Sequence, residues 1–151
     1  TIILVQTAAN AMIREAEQES DRRHRAIGVM GSIRGIRPVK PDGYEFAKAG
    51  LHNMVRGLGS ELGPHGISIN AVAPGTVDIP LEHQRYGSEA GYHAAWHSVS
   101  PLKRADGHLP FADDIAATML FALRSRHMTG EIISVNGGYL HMPQLPLDQQ
   151  S

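Results

Sequence analysis

The sequence predicts an α/β domain, a doubly wound parallel sheet with helices on both faces. Three observations predict it. Segments of helical and strand character alternate along the 151 residues as helix, strand, helix, strand, helix, strand. Each strand candidate is a short apolar run bounded by glycine or proline, as strands buried on both faces require. Each of the first two strands is followed by a long connection, which parallel strands need and hairpins do not.

The elements justify this reading in order. Residues 2 to about 19 have helical composition, with Ile3, Gln6, Ala9, Asn10 and Ile13 along it and alanines between. The basic cluster Asp21-Arg22-Arg23-His24-Arg25 reads as a solvated turn, because acids stand on both sides. "AIGVMG" (26–31) is the first strand. "SIRGIRPVKPDG" (32–43) is read as irregular, since Pro38 and Pro41 break it. Residues 44–62 return to helical spacing, with a stripe of Ala47, Leu51, Val55, Leu58 and Leu62, and "GPHG" ends the helix. "ISINAVAPG" (67–75) is the second strand, stopped by Pro74. Residues 76–110 read as irregular, with a short helix or two around 82–97. "FADDIAATMLFALRS" (111–125) is a helix with Asp in its cap region. "TGEIISVNGG" (129–138) is the third strand, and 140–151 an extended C-terminal tail.

Composition closes several function classes. The formal net charge is −1, so nothing implies a general attraction to nucleic acid or an acidic membrane. No cysteine is present, which closes disulfide, thiol and zinc-thiolate chemistry. No apolar run approaches the roughly 18 residues of a membrane span. "TIILVQTAANAM" has neither an initiator Met nor a basic leader and reads like the middle of a helix. The chain is therefore expected to begin inside a larger protein, and residues 1–151 to form a single partial domain.

In open parallel sheets, ligands bind beyond the carboxyl ends of the strands. Those ends are Gly31-Ser32, Ala73-Pro74-Gly75 and Val135-Asn136-Gly137, so Ser32 and Gly75 share one rim by topology. Tyr44 and Lys48 follow, one helical turn apart on one face. A tyrosine has a pKa near 10. An ammonium at ~4 Å and an effective dielectric of ~20 favours the phenolate by roughly 4 kcal/mol, about 3 pK units. The helix N-terminus adds ~0.3–1 kcal/mol in the same sense. The pair is thus suited to general acid–base work near neutrality. The spacing alone is weak evidence, since chance supplies about 0.08 such pairs here. Ser32, twelve residues before Tyr44, strengthens it, because its hydroxyl can hold an oxygen that exchanges a proton with Tyr44.

At these residues the chain resembles a known family. "MGSIRG", "YEFAK", "INAVAPGTV" and "TGEIISVNGGY", in that order and spacing, are similar to the catalytic half of a short-chain dehydrogenase/reductase, a Rossmann-like fold. The resemblance implies that Tyr44 is the general acid–base, and that Lys48 lowers its pKa and binds the nicotinamide ribose. It implies that Ser32 orients the substrate carbonyl or alcohol, and that the backbone of Pro74, Gly75, Thr76 and Val77 lines the nicotinamide pocket. It implies NAD or NADP as cofactor, a small carbonyl/alcohol substrate, a homodimer or homotetramer, and a cytoplasmic location. An alanine- and glycine-dotted face on the second helix (Ala47, Gly50, Gly57) would allow close packing of a second copy.

The chain departs from the family pattern in several places. No glycine-rich dinucleotide fingerprint is present, so the N-terminal cofactor half is expected elsewhere, a separate chain being one such place. The family's catalytic asparagine would precede Thr1, and residue 79 is Ile where Thr is usual. The three-residue gap between Tyr44 and Lys48 differs from the longer gap of the enoyl reductases. The leading expectation is an NAD(P)-dependent oxidoreductase, 3-oxoacyl reductase-like or sugar/polyol dehydrogenase-like. The alternative is a non-catalytic fragment or subunit, inactive and poorly stable alone. Residues 79–98 read as a substrate lid bearing Tyr86, Tyr92 and Trp96. His93 and His97 have metal-ligand spacing, but with no third ligand at telling distance no metal is expected.

Overall fold

The computed structural model describes residues 1–18, 23–40, 42–97, 100–102 and 109–142. Three parallel strands form one sheet in the order β1 (Arg25–Met30), β2 (Ile67–Pro74), β3 (Ile132–Val135). Arg25 pairs with Ile67 and Met30 with Val72; Ala71 pairs with Ile132 and Pro74 with Val135. Both pairings are in register along the strands, so all three carboxyl ends reach one rim.

Side chains alternate across β2. Ile67, Ile69 and Ala71 join a core with Val5 and Ala9 of α1 (Ile2–Gln18) and Val55 and Leu62 of α2 (Gly43–Leu62). The other face packs against α5 (Ala112–Arg124), whose Met119 and Leu123 lie over Gly28. The predicted two-sided cover is therefore present. Val55 and Ile69 are fully buried, and each such side chain contributes about 1.5–3 kcal/mol. Asn70, on the α5 face and 1% exposed, is fully employed. Its amide donates to Met128 O at 2.9 Å and accepts from Glu131 N at 3.1 Å, fixing the turn that enters β3.

The buried side of α2 departs from the predicted stripe. Ala47 is exposed, and Glu45, His52 and Gly59 are buried beside Val55 and Leu62. Gly59 is needed there because a Cβ would sit 2.6 Å from the Cα of Gly130. Two more details differ from the sequence reading. A 3₁₀ turn, Ile33–Gly35, occupies part of the segment read as irregular. In α5 the cap position belongs to Phe111, and Asp114 reaches back to accept from its N–H at 2.8 Å. The short helices expected in the 76–110 region are α3 (Pro80–Arg85) and α4 (Glu89–Trp96).

Arg25 opens β1 with a side chain only 10% exposed, 3.9 Å from Glu15, so the basic cluster is not wholly a solvated turn. Its residues 21–22, and tail residues 143–151, lie outside the described residues. Residues 139–141 of the expected tail form a 3₁₀ turn. Apolar surface is open on α1, where Ile3 and Leu4 are 78% and 74% exposed. Among the described residues β1 pairs on one side only, and no helix is long and apolar enough to cross a membrane.

Candidate active site

The chain leaves β1 through Gly31, whose N–H donates to Val72 O at 2.7 Å, and turns at Ser32. Ser32 is 7% exposed, with extended backbone. Its Oγ accepts from Arg34 N at 3.2 Å, which caps the 3₁₀ turn and leaves the hydroxyl proton to donate elsewhere. Its own N–H donates to His52 Nε2 at 3.4 Å.

α2 is started by Asp42, whose carboxylate accepts from Glu45 N at 3.0 Å. Tyr44 therefore sits in the first turn, 48% exposed, and no described residue hydrogen-bonds its hydroxyl. Lys48 lies one turn on. Its ammonium stands 5.6 Å from the centre of the Tyr44 ring and donates to Met30 O at 2.9 Å. That bond pins the cation to the carboxyl end of β1. Tyr44, Lys48 and His52 form one column on α2, and His52 carries the column to Ser32.

A second cation was not foreseen. The Arg34 guanidinium lies 5.1 Å from the Tyr44 ring centre. It also bonds Glu45 at 2.9 Å and Asp42 at 2.8 Å, tying the turn after β1 to the start of α2. Burial alone would raise the Glu45 carboxyl. Donation from Lys40 N, Val39 N and Arg34 overrides that and holds it below its ordinary value. Asp42 is also lowered, by Glu45 N–H first and Arg34 next. For His52, burial is the main cause holding its pKa below the usual imidazole range.

Opposite Ser32, β2 ends at Pro74. Gly75 N donates to Val135 O at 2.8 Å, and a Cβ on Gly75 would meet Asn136 Cα at 3.1 Å and Ile33 at 3.5 Å. The three strand ends thus meet at one rim, as their topology required. Pro74, Gly75, Thr76 and Val77 are half-buried there, and Ile79 precedes α3.

The segment holding α3 and α4 has a small core of its own. Tyr92 is fully buried, 5.4 Å ring to ring from both His83 and His93 and 5.9 Å from Tyr86. Trp96 meets Tyr139 at 6.4 Å, and Arg37 caps the other side of that junction. Its guanidinium lies 5.5 Å from the Tyr139 ring centre and donates to Tyr139 O at 3.2 Å and Met142 O at 3.0 Å. His97 is exposed, and His93 faces Asp78 instead. The sequence held a signal for His52, at i+4 from Lys48. For Asp78 it held none.

Comparisons with known proteins agree with this fold. A family model described as Enoyl-(Acyl carrier protein) reductase matches residues 4–140. The short-chain reductase protein NovJ of Streptomyces niveus is 36% identical over 97 residues, 63% of this chain and 37% of that protein. Glucose 1-dehydrogenase of Gluconobacter oxydans is 36% identical over 114 residues, 74% of this chain and 41% of that enzyme. A crystal structure of a short-chain type dehydrogenase/reductase from Mycobacterium marinum is 26% identical, with a TM-score of 0.68, over 89% of this chain and 48% of that one. The chain spans about two fifths of the length of the curated relatives it matches.

Proposed function

The chain belongs to the short-chain dehydrogenase/reductase family, and from that premise we propose that it carries the catalytic half of an NAD(P)-dependent oxidoreductase interconverting a carbonyl and an alcohol. The observation that carries the reading is the column on α2. Tyr44 presents an unengaged hydroxyl in the first turn of α2, with Lys48 one turn behind it held on Met30 O and His52 next along, bonded to the Ser32 N–H.

The rim fits a nicotinamide dinucleotide. Pro74, Gly75, Thr76 and Val77 are half-buried along it, and Gly75 has no room for a Cβ without crowding Asn136. Lys48 has ammonium protons beyond the one it gives Met30 O, and these would reach a ribose hydroxyl. The bound cofactor supplies the hydride. This chain's residues do the rest. The Ser32 hydroxyl donates to the substrate oxygen. In reduction Tyr44 gives that oxygen a proton, and in oxidation it takes the proton back. Lys48 and Arg34 hold positive charge beside the ring throughout. His52 orients Ser32 through its N–H. The complete enzyme comprises an N-terminal cofactor half and this partial domain, residues 1–151, assembled as a dimer or tetramer. The open small-residue face at Gly50 and Gly57 supports that packing.

The description of the matching family model names enoyl reduction, whereas a named relative acts as a glucose 1-dehydrogenase. A panel of ketones, alcohols and 2-enoyl thioesters, offered with NADH or NADPH to the protein that carries this chain, separates the two. The proposal expects turnover of carbonyl/alcohol pairs. It also expects Tyr44→Phe to lower kcat by about 10²–10⁴-fold with cofactor affinity unchanged. Wild-type turnover in that variant would remove Tyr44 from the chemistry.

A further inference from the structure

The turn after β2 and the two short helices beyond it bring three metal-ligating side chains together. Asp78 is the fixed point. Its side chain is 5% exposed, and its N–H donates to Pro110 O at 2.8 Å, bridging to the segment before α5. His83, from α3, places Nε2 at 2.6 Å from Asp78 Oδ1. His93, from α4, places Nε2 at 3.1 Å from Oδ2. One donor atom from each residue lies within 4.8 Å of the others. The Tyr92 ring closes one side. Its hydroxyl is buried with no hydrogen-bond partner among the described residues. On the solvent side the Glu89 carboxylate, 60% exposed, stands 3.8 Å from the same His93 nitrogen.

We propose that Asp78, His83 and His93 bind a divalent transition-metal ion of the zinc class, which joins the turn after β2 to α3 and α4. Two imidazoles and one carboxylate are the donor set that zinc, cobalt and nickel prefer, whereas magnesium and calcium take oxygen donors. A four-coordinate ion with bonds of about 2.0–2.2 Å keeps its donors roughly 3.3 Å apart. The Asp78–His93 pair is already near that spacing. The Asp78–His83 pair needs to open by less than about 1 Å, within reach of a side-chain rotation. Glu89 or a water completes the shell. The site is independent of the Tyr44 column and of the oxidoreductase reading.

Cobalt(II) alone is the probe, titrated into the metal-free protein that carries this chain. The expected result is one saturable Co²⁺ per chain, with the intense visible band of four-coordination. Zinc displaces it and magnesium does not. His83→Gln and His93→Gln each weaken binding by more than the roughly 10–100-fold that an outer-shell partner costs. His97→Gln leaves it unchanged within about twofold. No saturable binding, or equal binding in H83Q and wild type, overturns the site and leaves a carboxylate hydrogen-bonded to His83 with His93 at ion-pair distance. Should H83Q or H93Q fail to fold, wild-type imidazole NMR signals decide. Stoichiometric zinc must then shift His83 and His93 and leave the other seven of the nine histidines in place. Shifts elsewhere, or none, refute the proposal.

Discussion

Two glycines of the first strand segment face the same nominal overlap and should answer it differently. A Cβ on Gly31 would lie 2.4 Å from His52 Nε2, 3.1 Å from His52 Cδ2 and 3.2 Å from Val72 O. A Cβ on Gly28 would lie 2.4 Å from Met119 Sδ and 3.3 Å from Leu123 Cδ2. Neither glycine has positive φ, so backbone strain does not enter. His52 is 1% exposed, its ring is stiff, and it is the acceptor for Ser32 N–H. Met119 is half-buried and has three rotatable bonds. Gly31→Ala therefore overpacks a rigid site, at about 1–3 kcal/mol, and loses the Ser32 hydrogen bond, at about 1 kcal/mol. The stiffer unfolded chain returns about 0.4–1 kcal/mol. The net loss is roughly 1–3.6 kcal/mol, centred near 2, a fall in Tm of several degrees. Gly28→Ala costs one rotamer adjustment, offset by the same return, and stays within about 1 kcal/mol of wild type. Denaturant titration with unchanged slope measures both. Equal losses, or a larger loss for Gly28→Ala, would refute the argument that the neighbour's stiffness sets the cost.

Further outcomes follow from the polar groups of the core and of the turn before α2. Asn70→Ala strands Met128 O and Glu131 N–H and should cost about 2–4 kcal/mol by denaturant titration. Asn70→Asp sets a carboxylate against Met128 O, so its folded pKa is raised; its deficit should shrink as pH falls, and a pH-independent deficit would contradict this. His52 has a depressed pKa, so its contribution is present above the unfolded value near 6.5 and is lost as pH falls through the folded one; thermal melts across that range should show the decline. Asp42 and Glu45, also depressed, add a second loss below about pH 4.5. Arg34→Met raises both carboxyls towards their unfolded values and so shrinks that acid loss; an undiminished loss would show the guanidinium to be irrelevant there.

Most of the fold was legible because its signals are local. β2 reads as a strand from eight residues, and it lies at the centre of the sheet, with Ile67 through Ala73 buried. The Tyr44–Lys48 face needed only the helical repeat. Ala47 misled because a small apolar residue fits either face of α2. The buried place went to His52 and Gly59 through partners 20 and 71 residues away, Ser32 and Gly130. Asp78 was silent for the same reason. It is one acid in an irregular stretch, and its meaning comes from two helices that fold back over it. The Arg34 tie to Asp42 and Glu45 spans a loop whose prolines signal only that regular structure stops.

Arg37 grips the segment after β3 by its carbonyl oxygens, at Tyr139, Leu140 and Met142, and lies over the ring of Tyr139. Main-chain oxygens are the same whatever residue bears them. The grip itself thus asks nothing of the side chains of Leu140 and Met142. Arg37 and Tyr139 have no such latitude, since one is the hand and the other, pressed also by Trp96, is the keystone.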